Sequence, residues 1–408
     1  MAPPNREILI SGASVAGPVL AHWLRRYGFN PTLVERTPSV RTGLGGHAVD
    51  LFGASVDVVE GMGVLPEVLG ARTRTELILF ERDGKPPIAL NMGEVAAGLS
   101  IRHVEILRGE LTKILSGAAS DGVGHLFGDS IRRLDDDGDG VNVTFETADP
   151  RRFGLVVGAD GLHSNVRRLV FGDEARFMKY IGGYFAVFTL PNYLELDDRM
   201  VVYNRPGRVV GMYPVHQSGE ARAVFLFRRA EPLVYDHRDR DEQKKLLREA
   251  FADFGWEAPR LLAELDDAED LYFDSISQII MDTWSRGRVT LVGDAGYSPG
   301  PAVGAGTTIA VVGAYVLAGE LHRTGGEPAV ALRAYEDKMR DFVRLNRKFG
   351  ITNVRRLIPA TPMHVRLLHE AMRWMPRLPV RVQRLAAASR AAVFESFALE
   401  DYGAGPAR

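Results

Sequence analysis

The chain has 408 residues and no cysteine. That excludes disulfides, a thiolate nucleophile, and any metal or iron–sulfur centre held by sulfur. An apolar run of the ~20 residues needed to cross a bilayer is also missing. The apolar stretch from Ile8 to Leu20 is punctuated by Gly12, Ser14 and Gly17, and no cleavage site follows it. It therefore reads as a strand and a helix rather than a targeting segment. Charge of one sign is lacking too: 50 Lys and Arg against 52 Asp and Glu leave a formal −2. So small a net charge gives no reason to expect nucleic acid or an anionic membrane surface as a partner. No Gly-x-Ser-x-Gly elbow is present, which removes the hydrolase reading built on it. No His-x-Glu or similar ligand spacing occurs, so no metal is expected. What remains is a cytosolic protein of two or three domains, at ~100–200 residues per domain, that handles small molecules.

What is there begins with a βαβ unit. Glu7–Ser11 is a short apolar strand, and Ser14–Tyr27 carries Val15, Val19, Leu20, Trp23 and Leu24 on one helical face. Asn30–Glu35 is the second strand. Asp83-Gly84 between apolar runs signals a hairpin. Ile106–Leu115 reads as helix, Val141–Glu146 as an alternating strand, and Leu155–Gly158 as a buried strand ending at Asp160-Gly161. From Arg176 to Arg228 the texture changes. Gly183–Leu190, Arg199–Tyr203, Arg208–Tyr213 and Ala221–Arg228 are strand-like runs between turns, and so predict an antiparallel sheet. Its Tyr, Phe and Met content fits a core on one face and the floor of an aromatic-friendly pocket on the other. Arg240–Phe254 is helical, Val289–Gly293 returns to a buried parallel-type strand, and Thr307–His322 is a long apolar helix. The tail from Ala329 is mostly helical and basic, broken at Pro359, Pro362, Pro376 and Pro379.

Three stretches carry chemistry. In Gly12-Ala13-Ser14-Val15-Ala16-Gly17, a strand ends and a helix opens, and Glu35 follows 18 positions after Gly17. A dinucleotide pyrophosphate needs close backbone approach, free N–H groups and the positive end of a helix. Gly12 permits the turn, Gly17 permits the helix to pack, and Glu35, with Arg36 beside it, suits the adenosine ribose. Ser14 replaces the usual middle glycine. The second stretch is Asp160-Gly161-Leu162-His163-Ser164-Asn165-Val166-Arg167, and the third is Gly293-Asp294 through Pro301, Gly304, Gly306 and Thr307. Each alone reads equally well as a strand followed by a capped helix, with the aspartate as an ordinary turn former. His47, His163 and His216 read as satisfied structural histidines, and no side chain reads as catalytic.

Together these stretches resemble, in order and spacing, the class A FAD-dependent monooxygenases with the para-hydroxybenzoate hydroxylase fold. The Gly45–Leu51 segment is similar to that of the tetracycline-inactivating and antibiotic-tailoring members. The resemblance implies an α/β protein, a Rossmann-like FAD-binding domain interleaved with an antiparallel-sheet substrate domain, followed by C-terminal helices. It implies residues 1–73, 101–175 and 275–325 for FAD, 74–100 and 176–274 for substrate, and 326–408 as the helical tail. The tail helices, with Met363, Met372, Trp374 and Met375, are expected to pack on the FAD half. FAD contacts are implied for Gly12, Ser14, Val15, Ala16, Gly17, Glu35, Arg36, Asp50, Arg108, Asp160, Gly293, Asp294, Pro301, Gly304, Gly306 and Thr307. With a one-residue shift, Arg41 matches an arginine associated with NADPH. Two positions depart from the family: Tyr297 stands where His is frequent, and Thr308 where Asn is, which puts the pocket beside the flavin ring in doubt.

The activity implied is monooxygenation: NAD(P)H reduces FAD, O2 reacts at flavin C4a, and one oxygen atom goes to an aromatic or polyketide-like small molecule. A flavin-dependent halogenase is excluded by the lack of a Trp-x-Trp-x-Ile-Pro segment among Trp23, Trp256, Trp284 and Trp374. A non-redox protein keeping FAD as a structural element, such as a cyclase, is the alternative.

Overall fold

The computed structural model describes residues 5–40, 47–92, 102–216, 218–301, 304, 306–379, 381–382 and 392–403. The chain opens with β1 (Glu7–Ser11), α1 (Ala16–Arg26) and β2 (Asn30–Glu35). There follow β3 (Ala48–Phe52), α2 (Ala54–Gly61), α3 (Leu65–Gly70), and the hairpin of β4 (Leu77–Arg82) and β5 (Lys85–Asn91). Then come β6 (His103–Leu107), α4 (Arg108–Ala118), β7 (Gly124–Phe127), β8 (Ile131–Asp136), β9 (Val141–Phe145), β10 (Arg151–Phe153), β11 (Leu155–Gly158) and α5 (Asn165–Phe171). The middle of the chain supplies β12 (Met178–Pro191), β13 (Arg199–Arg205), β14 (Arg208–Pro214), β15 (Glu220–Arg228), α6 (Arg240–Phe251), α7 (Ala258–Ala263) and β16 (Tyr272–Ile279). It closes with β17 (Ser285–Arg286), β18 (Val289–Leu291), α8 (Asp294–Tyr297), α9 (Gly306–Arg323), α10 (Pro328–Leu357) and α11 (Pro362–Trp374).

One six-stranded sheet runs β17-β18-β11-β1-β2-β7. All its pairs are parallel except β17 with β18. Its four inner strands, β18, β11, β1 and β2, are short and almost wholly buried, as a parallel sheet covered by helices requires. The long α9 lies against α1 and α10 and is buried from Thr308 to Leu321. A seven-stranded sheet runs β16-β12-β15-β14-β13-β4-β5, antiparallel throughout save for β13 beside β4. The two sheets are fed alternately by the chain, which accounts for the interleaved textures of the sequence.

Both faces of the seven-stranded sheet are buried, and its alternation shows which way each side chain goes. In β12 and β15, Tyr184, Ala186, Phe188, Ala223, Phe225 and Phe227 share one core with Leu247, Phe251 and Leu261 of α6 and α7. Their sequence neighbours Phe185, Val187, Val224 and Leu226 join the core of the parallel-sheet half. Arg222 interrupts this second face. It is 6% exposed and bound to Asp270.

Two expectations need correction. The helix read over Ile106–Leu115 is a strand to Leu107 and a helix only from Arg108. β6 pairs with β3, and the β-branched pair Val104 and Ile106 belongs to that ladder. The tail also divides. The α10 helix packs on α9, but α11 packs on β5 and β13 of the seven-stranded sheet. Met363 and Trp374 point outward, 60% and 53% exposed.

Candidate functional site

The first turn is built for close approach. Gly12 has φ +106°, and a Cβ there would lie 2.5 Å from the Ala159 carbonyl oxygen. At Gly17 a Cβ would lie 1.9 Å from the Gly12 carbonyl oxygen. Only glycine fits either position without moving backbone. α1 begins at Ala16 with no side-chain cap and no acid in its first turn. Its N-terminal N–H groups are therefore available to an anion. Glu35 locks the turn from below: Oε2 accepts from Ala13 N at 3.0 Å, while Oε1 accepts from Thr37 N at 3.0 Å. Arg36 beside it is exposed, and Val15, Ala16 and Gly17 are buried.

Ser14 has a task the sequence did not reveal. Its Oγ accepts from Arg108 Nη2 at 3.1 Å, 94 positions away. Arg108 is the first residue of α4, and its backbone N–H donates to the His47 carbonyl at 3.0 Å. His47 is neutral: burial first, and then the charge of Arg108, push its pKa down to about 3. Its Nδ1 is buried without a partner among the described residues. The ring meets Phe185 edge-on at 5.5 Å and tilts against Tyr272 at 5.7 Å. Those two belong to the inner face of the seven-stranded sheet, so His47 stands where the two halves meet. On β3, which follows His47, Asp50 bonds His103 Nε2 at 2.7 Å, and its Oδ2 would lie 3.2 Å from a Cβ on Gly304.

The second motif forms a buried polar knot. Asp160 accepts from Ser164 Oγ and, at 3.0 Å, from Val166 N. Burial raises its pKa, against the pull of those hydrogen bonds. Arg167 is fully buried and bonds the Ala295 and Leu162 carbonyls and Glu174. His163 sits between Glu174 at 2.8 Å and Asp274 at 3.0 Å, stacked on His237 at 4.2 Å. Burial disfavours its charge, but the bonds to Asp274 and Glu174 outweigh it and raise the pKa to about 9. His163 thus ties the Asp160 loop to β16. It is a structural histidine, as its residue type suggested, but a charged one.

In the third motif Gly293 adopts φ +66° and starts α8 at Asp294. Burial raises the Asp294 carboxyl above the usual range, opposed by Ser298, Arg108 and Arg167. A Cβ on Gly306, the first residue of α9, would stand 3.6 Å from Asp294 Oδ1. Gly304 has φ +76°. Pro301 and Thr307 are half-buried around it. Arg41, Gly45, Gly46, Ala302, Val303 and Ala305 lie outside the described residues. The two departures concern packing. Tyr297 is buried against Trp284, its hydroxyl 2.8 Å from that of Tyr335. Thr308 Oγ1 accepts from Phe52 N at 3.0 Å and donates to the Asp50 carbonyl at 3.3 Å, stapling α9 to β3.

Residues 5–349 match the family described as the FAD binding domain. Curated flavin-dependent monooxygenases align over most of the chain. The chain belongs to the FAD-binding-domain family of flavin-dependent monooxygenases. One such enzyme, from Legionella longbeachae, is 39% identical over 347 residues, covering 85% of this chain and 88% of its own length. An uncharacterised Mycobacterium tuberculosis protein is 44% identical over 351 residues, 86% of this chain and 94% of its own. The crystal structure of the tetracycline destructase Tet(55) superposes with a TM-score of 0.83 at 34% identity, over 98% of this chain and 100% of that one. These likenesses favour a redox monooxygenase over a protein that keeps FAD for structure alone.

The monooxygenase has the donor set an FAD demands. An uncapped helix N-terminus, two glycines that admit no Cβ, an acid beneath the turn and an arginine over it surround one groove. A cavity of about 920 Å³ opens on the flank of Arg108, lined by Arg72, Leu107, Glu110, Thr189, His216 and Arg222, among others. None of Gly12–Gly17, Asp294 or Gly306 lines it. It is therefore distinct from the groove at the turn and lies on the side of the seven-stranded sheet.

Proposed function

We propose that this monooxygenase reduces its FAD with NAD(P)H and uses O2 to oxygenate an aromatic or polyketide-like small molecule. Residues 1–73, 101–175 and 275–325 form the FAD half in this reading, and 74–100 with 176–274 form the substrate half. The observation that carries it is the meeting of three distant segments at one groove. Ser14 bonds Arg108 at 3.1 Å, Ala13 bonds Glu35 at 3.0 Å, and a Cβ on Gly293 would lie 3.7 Å from that of Ala16.

In this assignment Gly12, Ser14, Val15, Ala16 and Gly17 hold the pyrophosphate, with N–H groups at the positive end of α1. Glu35 holds the adenosine ribose, with Arg36 at the exposed edge. Arg108, Asp160, Gly293 and Asp294 hold the middle of the cofactor, and Asp50, Pro301, Gly304, Gly306 and Thr307 border the ring. When bound, FAD supplies hydride acceptance and oxygen activation, which no side chain can supply. The chain's own residues orient and exclude. The N-terminus of α9 faces the ring, where the positive end of its dipole favours negative charge. The apolar face of Phe185, Val187, Val224 and Leu226 keeps water from the reacting centre. His47, neutral, accepts or donates one hydrogen bond without adding charge. The tetracycline destructase likeness supports a flat, oxygen-rich, multi-ring substrate.

Anaerobic stopped-flow mixing of the FAD-loaded protein with NADPH, and separately NADH, tests this reading. Bleaching of the oxidised flavin is expected, faster with a bound substrate. A flavin that never bleaches with either nucleotide, across a panel of phenols and fused-ring enols, refutes it.

A further inference from the structure

The formal charge of −2 conceals a strong segregation. Between Arg355 and Phe394 the sequence carries eight arginines, no lysine and one acid, Glu370, a local net of +7. The described arginines of this stretch, Arg355, Arg356, Arg366, Arg373, Arg377 and Arg381, are all exposed. Apolar exposure is segregated to the same place. Of the ten large hydrophobic side chains exposed among the described residues, Met363, Leu367, Trp374, Leu378 and Val382 fall within this stretch.

The helix α11 explains how both arise. At about 100° per residue, Met363, Leu367 and Trp374 fall within about 40° of one another on the helix wheel. Val365, Leu368, His369 and Met372, on the opposite face, are half-buried. That side rests on β5 and β13, with His369 beside Phe80. The helix therefore has two apolar faces and spends only one on the fold. Arg366 and Arg373 flank the free ridge on one side. Trp374 lies under Arg373 and Arg377, at 5.9 and 5.3 Å from its ring. Glu370 falls on the ridge, but its carboxylate accepts from Trp374 Nε1 at 3.2 Å and sits 3.8 Å from Arg373. Its charge is thus locally offset.

We propose that α11 and the turn after it, through Leu378, lie in the interface of an anionic lipid bilayer. A convex apolar ridge with arginines on its flank and a tryptophan at its end suits the headgroup boundary, where arginine stems bury and their charges reach phosphate. A protein groove would need a ridge without the surplus positive charge that anionic lipid takes up. Anchoring by this one helix is peripheral and reversible, for no described helix is long and apolar enough to cross a membrane.

Co-sedimentation of the FAD-loaded full chain with vesicles tests this. We expect pelleting with phosphatidylcholine mixed with phosphatidylglycerol, little with phosphatidylcholine alone, and release by high salt. Replacing Arg366 and Arg373 together by Gln should lower the partition about 30-fold, at about 1 kcal/mol per arginine. Leu367→Asp should abolish pelleting while leaving FAD content unchanged. Trp374 emission should shift to the blue on mixed vesicles, because Trp23 and Trp284 are already buried and Trp256 is half-buried against the other core, and Trp374→Phe should lose the shift but keep binding. No pelleting of the wild type, or pelleting indifferent to Leu367→Asp, overturns the proposal. So does a fall in molecular mass with Leu367→Asp in the absence of lipid, which would assign the ridge to a second copy of this chain.

Discussion

Gly17 is the position where the geometry leaves least freedom. An added methyl would lie 1.9 Å from the Gly12 carbonyl oxygen, so Gly17→Ala must push α1 off β1. The expected result is a protein that folds with a lower melting temperature and purifies largely without flavin. Such overpacking costs about 1–3 kcal/mol, and the displaced N–H groups lose their aim. Flavin absorbance per chain and a thermal melt measure both. Glu35→Ala is milder. It leaves Ala13 N unpaired and removes the proposed ribose acceptor, and FAD affinity should fall about tenfold or more, at about 1.5–3 kcal/mol for a bond to a charged group. Fluorescence titration of the apoprotein with FAD measures it, and an unchanged affinity would remove Glu35 from the site. The glycines and Glu35 were legible in the sequence because their demands are local. The partnership of Ser14 with Arg108 was not, since no spacing rule links residues 94 apart. The packing partners of Tyr297 and Thr308 were hidden for a related reason. Sequence places them beside the flavin motif, but only the fold shows their side chains turned into the packing of α9, α10 and β3.

At the scale of elements, the pattern of apolar residues served well where turn residues bounded it. The strands β12 to β15 and the long α9 were readable because each is an uninterrupted apolar run bounded by turn residues, and run length separates strand from helix. It failed at Leu107, where a strand passes directly into a helix and the apolar residues on either side merge into one helical-looking run. The His163 cluster shows what no pattern carries: the Asp160 loop, the Glu174 turn and β16 joined by one imidazole, with α5 tied to the same Glu174 through Arg167. Its pKa of about 9 has a consequence for stability. The unfolded histidine titrates near 6.5. Between about pH 6.5 and 9 the folded chain holds a proton the unfolded chain has lost. The stabilisation is therefore complete below about pH 6.5 and disappears as pH rises through 9. It amounts to about 3 kcal/mol at most, at about 1.36 kcal/mol per unit. The melting temperature of wild type should fall across that window, and His163→Gln should flatten the slope while lowering stability most at the acid end. A parallel pH profile in the variant would show that the cluster is not the titrating element.

For the whole molecule, the interleaving of two sheets was legible because helix and strand textures alternate along the chain. The destination of the tail was not. Its helices carry apolar residues on more than one face, so the sequence cannot say which face docks, and α11 went to the seven-stranded sheet rather than the parallel-sheet half. The last described segment does return to the parallel-sheet half. Phe394 is 1% exposed and stacks on Phe52 at 4.0 Å. Tyr402 donates to Glu320 at 2.8 Å, and Tyr315 donates to the Glu400 carbonyl at 2.8 Å. Phe52 ends the strand that carries Asp50, and its N–H is held by Thr308. The final residues thus brace the end of β3. Phe394→Ala should cost about 3–5 kcal/mol, the range for removing a buried aromatic. Because β3 carries Asp50, whose Oδ2 would lie 3.2 Å from a Cβ on Gly304, the loss should not stop at stability. FAD affinity should fall as well, although Phe394 lies far from the groove in sequence. Urea unfolding and an FAD titration on the same variant decide the point. A loss of stability with unchanged flavin affinity would make the tail a clamp on the fold alone, whereas loss of both would make it part of how this chain holds its cofactor.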